Sequence, residues 1–196
     1  MTSAAAGGTS TGIPRDAVPQ VAMAGRSNVG KSTLINALCR RPVARTSAAP
    51  GKTRHANVYR LTVEGHGPGR WDLYLVDLPG YGYARGGADA AKELAAVAES
   101  YLGATKAHTL LLVDSRHPGL ESDVQAHGWL RSLGVEPVIV ATKIDKLTRA
   151  ERVKNLRELK RVFETAALPV SAERGEGLDE LWTSLARMAR ATKERK

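Results

Sequence analysis

One cysteine, Cys39, stands among 196 residues. A lone thiol builds neither a disulfide framework nor a zinc centre. The five histidines (His55, His66, His108, His117 and His127) show no metal-ligand spacing. No apolar run approaches the ~20 residues that a membrane span needs. The opening MTSAAAGGTSTGIPRD lacks both a cationic start and an apolar stretch, so it does not read as a secretory signal. Its Gly, Ser and Thr content predicts a flexible lead-in over 1–17. No internal repeat is present. What remains is a chain with 42% apolar and 25% charged residues, near the globular average and long enough for one core. One domain over 18–192 and a basic tail at 193–196 are expected, in a reducing, cytoplasmic compartment, without a membrane partner.

Acid is missing from one stretch altogether. Residues 26–60 hold eight Lys or Arg and no Asp or Glu, whereas 61–141 hold six bases and ten acids. Residues 142–196 turn basic again, with fourteen bases against nine acids. Two positive regions in a chain of net charge +9 point to a polyanionic partner, a nucleotide or a nucleic acid.

Short apolar runs alternate with helical patterns, as in a parallel sheet covered on both faces. Strands are expected at 20–24, 58–63, 71–76, 109–113, 137–141 and 168–170. The close spacing of the second and third predicts the one antiparallel pair. Helices are expected at 31–40, 88–102 and 120–133. A fourth opens with the capping box Thr148-Arg149-Ala150-Glu151 and buries Val153, Leu156, Leu159 and Phe163. A last helix puts Leu178, Leu181, Leu185 and Met188 on one face. The expected fold is α/β: a doubly wound, mostly parallel six-stranded sheet with about five helices.

After the first strand comes Gly25-Arg26-Ser27-Asn28-Val29-Gly30-Lys31-Ser32, a full G-x-x-x-x-G-K-S phosphate loop. Its glycines let main-chain N–H groups wrap phosphates, Lys31 reaches the β- and γ-phosphates, and Ser32 can ligate Mg²⁺. Asp77-Leu78-Pro79-Gly80 ends a strand, where a carboxylate can hold Mg²⁺ through a water and the Gly80 N–H can touch the γ-phosphate. Pro50-Gly51-Lys52-Thr53 lies between the first helix and second strand, with Thr53 as a second Mg²⁺ hydroxyl. Thr142-Lys143-Ile144-Asp145 follows a buried strand. There Asp145 can accept from the guanine N1–H and 2-amino group, which adenine lacks, while Lys143 lies over the base. Val170-Ser171-Ala172 can present an N–H to guanine O6. Four short motifs in this order, each after an expected strand, imply a GTPase, with Lys31, Thr53 and Gly80 making the catalytic contacts.

The words GRSNVGKSTLINAL, RTSAAPGKTRHANVY, LVDLPGYGYA, LLLVDSRHPGLESDVQAHGWLRSLG and ATKIDKL resemble the EngB family (also called YihA or YsxC) of bacterial P-loop GTPases, over about residues 19–185. The resemblance implies a role in assembly of the large ribosomal subunit, rRNA and ribosomal proteins as partners, and a requirement in cell division and septation. In this chain Arg54-His55 replaces the glutamine usual after PGKT, so local contacts in that switch are expected to differ, with Gly51, Lys52, Thr53, Arg54 and His55 still expected at the nucleotide. Asn28 is similar to an asparagine that in related GTPases helps bind a monovalent cation, which makes K⁺ a candidate cofactor; capping of its own turn is the alternative. Tyr81 stands where Ras-like proteins place a water-orienting glutamine, so slow intrinsic hydrolysis is expected. Gly80, Gly82, Gly86 and Gly87 suit a second switch segment that orders with the γ-phosphate, in which Tyr81 and Tyr83 either pack the loop or meet a partner.

Other residues carry plainer readings. Cys39 is a small core residue. Asp114 fixes the turn after its strand and makes no catalytic pair with His117. Trp129 and Trp182 are half-buried helix residues. Lys154, Arg157 and Arg161 share a helix face, solvated by default and able to meet rRNA. A monomer is expected. A switch acting through protein partners in septation, without RNA, is the alternative, and a P-loop kinase or ATPase is disfavoured by Asp145.

Overall fold

The computed structural model describes residues 3–10, 14, 16–44, 56–65, 69–81, 87–105 and 107–194. Their strands are β1 (Ser3–Ser10), β2 (Gln20–Gly25), β3 (Asn57–Glu64), β4 (Arg70–Asp77), β5 (His108–Asp114), β6 (Val138–Thr142) and β7 (Leu168–Pro169). Their helices are α1 (Lys31–Cys39), α2 (Gly87–Ala104), α3 (Glu121–Ser132), α4 (Arg149–Phe163) and α5 (Leu178–Glu194), with a 3₁₀ turn at Ile144–Lys146. Among the described residues the sheet runs β1-β3-β4-β2-β5-β6-β7. β3 pairs antiparallel with β1 and with β4, and every other pairing is parallel.

Six of these strands and the five helices follow the expected doubly wound plan. The seventh, β1, falls where a flexible lead-in was expected over 1–17, and this is a correction. Ser3 to Ser10 pairs antiparallel with Glu64 to Val58, with a bulge between Gly7 and Thr9. Pairing at a sheet edge runs through main-chain N–H and C=O groups, so a segment of Ser, Ala, Gly and Thr can supply it without an apolar pattern. At the other end, α5 continues to Glu194, into the segment 193–196 expected as a tail.

The central strands show why both faces of the sheet are covered. In β2, Val21 and Met23 join one apolar cluster and Ala22 and Ala24 the other. β5 alternates in the same way, with Leu110 and Leu112 against Leu111 and Val113. The first cluster takes Leu34, Ile35 and Leu38 of α1 with Leu181, Leu185 and Met188 of α5. The second takes Tyr101 of α2, Leu130 of α3, and Leu159 and Phe163 of α4. Alternation at period two places half of each strand in each layer, and fully buried strands therefore read as continuous apolar runs.

The expected capping box at Thr148 and Glu151 is present at the start of α4. Val153 departs from its expectation. Its apolar period predicts burial, yet it is 46% exposed, because the inward arc of α4 is filled by Leu159 and Phe163 with Leu156 half-buried. Trp182 is buried where half-burial was expected, and it meets Trp71 edge to face at 6.5 Å. β2 lies between β4 and β5, so the strand order reverses beside it. The carboxyl ends of β2, β4, β5 and β6 therefore open onto one crevice, the usual ligand position in such sheets.

Candidate functional site

The loop from Gly25 to Gly30 joins β2 to α1 across that crevice. At Gly25 a Cβ would stand 2.9 Å from the Leu112 carbonyl oxygen and 2.9 Å from a Val29 methyl, so only glycine lets the loop leave β2 against β5. Gly30 caps α1 in the left-handed region at φ 112°, and a Cβ there would meet nothing within 4 Å. No side chain caps α1, and its first turn carries no acid. Its N–H groups thus face the crevice with the positive end of the helix dipole, which is an anion-binding arrangement.

Lys31 is buried, and its Nζ donates to the Gly25 carbonyl at 2.9 Å and the Arg26 carbonyl at 3.2 Å. Burial lowers its pKa, opposed by the charge of Asp77. Asp77, at the end of β4, is 2% exposed; burial raises its pKa, while Lys31 and a hydrogen bond from the Ser32 hydroxyl pull it down. Its Oδ1 is buried without a hydrogen-bond partner among the described residues. Leu78 is buried in the core, and its N–H donates to the Met23 carbonyl at 3.1 Å. That anchor brings Gly80 against the phosphate loop. A Cβ on Gly80 would lie 2.9 Å from Ser27 N and 3.0 Å from Lys31 Nζ, so this position, too, excludes a side chain. Ser27 N–H donates to the Tyr81 carbonyl at 3.1 Å, and Arg26 and Tyr81 form a parallel bridge.

One carboxylate in this region was not anticipated. Asp123 of α3 is 1% exposed and accepts from Arg26 Nε at 3.0 Å and from the Tyr81 hydroxyl at 3.1 Å, both on Oδ1. Burial raises the pKa of Asp123, and these two donors oppose it. Burial also raises the Tyr81 phenol, and Asp123 adds to that shift. Arg26 therefore turns its guanidinium to α3, and only its main chain remains in the loop. The Tyr81 hydroxyl is likewise held on α3. Asp123 sits in the first turn of its helix beside Glu121, where an acid reads as an ordinary exposed helix-start residue, so the sequence carried no signal for its burial.

On the other side of the loop, Lys143 adopts a left-handed backbone at φ 61° and caps the 3₁₀ turn. Its Nζ donates to the Asn28 carbonyl at 2.7 Å and to Asp114 Oδ2 at 3.0 Å. The Thr142 hydroxyl donates to the Val29 carbonyl at 2.7 Å. Asp145 Oδ1 accepts from the Ser171 hydroxyl at 2.7 Å, and Lys146 pairs with the other oxygen at 3.2 Å. Burial alone raises the Asp145 pKa, but Ser171 and Lys146 outweigh it and keep the carboxylate ionised. Ile144 and Val170 are buried, so their side chains serve the core. A small cavity of about 50 Å³ opens between Gly30, Thr33, Lys143, Asp145 and Ala172.

Asp114 holds this end together. Burial raises its pKa, yet two hydrogen bonds from the Arg116 guanidinium, one from Lys143 and one from the Arg116 N–H set it well below the carboxylate range. Exposed His117 gives Asp114 only a main-chain N–H, to its carbonyl at 3.0 Å. The Cys39 thiol is buried and raised to about 11 by burial, which makes it an inert core group. Residues 25–32, 77–80, 142–145 and 170–172 thus meet at one edge of the sheet. Gly51, Lys52, Thr53, Arg54 and His55 lie outside the described residues, as do Gly82, Tyr83 and Gly86.

Comparison with known proteins shows the family. The sequence model of the family described as "50S ribosome-binding GTPase" matches residues 20–143. A protein of Oceanobacillus iheyensis described as a probable GTP-binding protein EngB is 38% identical over 181 residues, 89% of each chain. One of the same description from Anaeromyxobacter sp. strain K is 42% identical over 183 residues, covering 90% of this chain and 85% of that one. Among solved structures, Era in complex with MgGDPNP and a segment of 16S ribosomal RNA superposes with a TM-score of 0.72 at 26% identity, covering 87% of this chain and 56% of that one.

Proposed function

The chain belongs to the EngB family of GTP-binding proteins, and from that premise we propose that it is a slow GTP-hydrolysing switch that docks on the large ribosomal subunit or its precursor. Its task is then to support subunit assembly and, through it, normal cell division and septation in the cytoplasm. No described helix is long and apolar enough to cross a membrane. The observation that carries the reading is the convergence of the phosphate loop, Lys143 and the Asp145–Ser171 pair. Asp145 presents an ionised acceptor where guanine offers two N–H donors and adenine does not.

The residues fit a magnesium ion. Asp77 keeps a buried oxygen without a partner and shares its carboxylate with the Ser32 hydroxyl, a hard oxygen donor set. Ser32 and Thr53, with Asp77 through a water, would hold the ion, which supplies positive charge to the β- and γ-phosphate oxygens. The protein's own part is largely positioning. Lys31 exchanges main-chain carbonyls for phosphate oxygens, the α1 N–H groups cradle the β-phosphate, and Gly80 brings its N–H to the γ-phosphate. Thr53 would complete the set from the first switch. Tyr81 brings no water-orienting group, since its hydroxyl is held on Asp123, and this supports a slow rate. Asn28 is the residue through which K⁺ would act.

Pelleting with purified large ribosomal subunits tests the reading, with a non-hydrolysable GTP analogue against GDP. Association in the analogue state and its loss with GDP are expected. No association in either state would overturn the ribosomal reading and leave a switch working through protein partners.

A further inference from the structure

Outside the nucleotide crevice, α4 presents a charged surface that none of the nucleotide-binding motifs uses. α4 carries six bases and two acids. Both acids are engaged: Glu151 closes the capping box with Thr148, and Glu158 pairs with Arg161 at 2.6 Å. Arg152 pairs with Glu176. Arg149, Arg157 and Lys160 are exposed and form no ion pair with a described residue, and Lys154 is exposed between them.

This face is also concave. A groove of about 1020 Å³ is rimmed by Arg149, Lys154, Arg157 and Arg161, and Glu158 is the one acid on its wall. Pro118 and Val153 give it an apolar floor, which explains why Val153 can stand 46% exposed without reaching the core. Lys154, Arg157 and Arg161 are spaced i, i+3, i+7, so their cations line roughly 10 Å of one helix face. The groove is firmly placed relative to the nucleotide pocket. Asn155 donates from Nδ2 to the Ser115 carbonyl at 2.8 Å, and Ser115 N–H donates to the Thr142 carbonyl at 3.1 Å, next to Lys143.

We propose that this α4 groove grips the sugar–phosphate backbone of ribosomal RNA, with Lys154, Arg157 and Arg161 on successive phosphates and Val153 against the sugar edge. The assignment rests on the ribosomal reading above and adds to it the surface and the chemistry of contact. Arginine dominates the rim, and its planar fork matches phosphate oxygens bidentately. A net charge of +9 sets the sign of the long-range attraction. Glu158 weakens the grip by occupying Arg161.

The test measures binding to purified large subunits and to deproteinised large-subunit rRNA across a KCl series, in the GTP-analogue state. It uses the wild type, the triple variant Lys154→Ala, Arg157→Ala, Arg161→Ala, and Glu158→Gln. Thermal unfolding controls for folding, since all four side chains lie on the surface. The triple variant should lose about tenfold or more in affinity, and its log–log salt slope should flatten by about 2 to 3, at 0.7–0.9 per phosphate lost. Glu158→Gln should bind more tightly with a steeper slope, which a merely structural role would not produce. If the wild type binds subunits and both variants match it in affinity and slope, the groove is not the contact and the ribosomal reading stands. If the triple variant weakens with an unchanged slope, the groove meets protein, and the RNA assignment is overturned. If the wild type ignores subunits yet binds rRNA through these residues, the groove stands and the ribosomal reading falls. Binding to neither overturns both.

Discussion

The two ends of the nucleotide crevice are built on different plans. At the guanine end the polar side chains are bonded to one another and to the phosphate loop: Lys143 to Asp114 and Asn28, Asp145 to Ser171, Thr142 to Val29. At the γ-phosphate end two donors rest on carbonyls that phosphate oxygens can replace: Lys31 Nζ on two loop carbonyls and Ser27 N–H on that of Tyr81. Beside them Asp77 keeps a buried oxygen with no partner among the described residues, an acceptor open to a cation or its water. The proposed switch needs both. Rigid, fully bonded groups discriminate one base from another, because a wrong base leaves them unpaired. Groups that can exchange partners let the triphosphate reorganise the chain around it.

The contrast is broken most severely at Asp145. Asp145→Asn replaces the acceptor for the guanine 2-amino group with a donor. GTP affinity should fall by roughly 10²–10⁴, with affinity for xanthosine triphosphate gained, as calorimetry can measure. An unchanged GTP affinity would mean that the rigid end does not read the base.

Next in size is the brace behind it. Asp114→Asn removes the acceptor shared by Arg116 and Lys143 and should lower stability at pH 7 by about 2 kcal/mol. Asp114 is ionised in the fold and depressed, so its stabilisation is present above the ordinary carboxylate range and is lost as pH falls through its lowered value. Urea unfolding of wild type and variant should therefore show a gap at pH 7 that narrows in acid. A gap independent of pH would point to packing instead.

Tyr81→Phe sharpens the comparison from the other end. It deletes one of two donors to buried Asp123 Oδ1 and should cost about 1 kcal/mol of stability. Single-turnover GTP hydrolysis should stay within a few-fold of the wild type, because the hydroxyl is held on α3. A large fall in rate would show that it takes part in the chemistry. The smallest effect expected is a modest stimulation of hydrolysis by KCl over NaCl at equal ionic strength, through Asn28, and equal rates would remove the monovalent cation.

Much of this is legible in the sequence, for a physical reason. Phosphate loops and base-recognition turns are short, and each sits at the end of a buried strand whose apolar run marks it. The motif residues therefore stand in fixed relation to the elements. The α4 capping box is equally local, four residues long and closed on itself. What escaped depends on contacts distant in sequence. Asp123 is buried only because Arg26 and Tyr81, 97 and 42 residues away, are brought to it by the sheet. Val153 fits the apolar period of its helix and is left out because Leu159 and Phe163 already fill the interface. β1 has no pattern to read, since its pairing lies in the main chain.

Amide hydrogen exchange in the GDP and GTP-analogue complexes compares the two ends directly. Residues 142–147 and 170–172 should exchange alike in both states, held by bonds that do not involve the γ-phosphate. Gly80 should gain protection only with the analogue, as its N–H leaves the solvent for the phosphate, while the Leu78 N–H stays protected in both by the Met23 carbonyl. Equal exchange at Gly80 in the two complexes, or changes at 142–147 as large as that at Gly80, would contradict the division between a rigid guanine end and an exchangeable phosphate end.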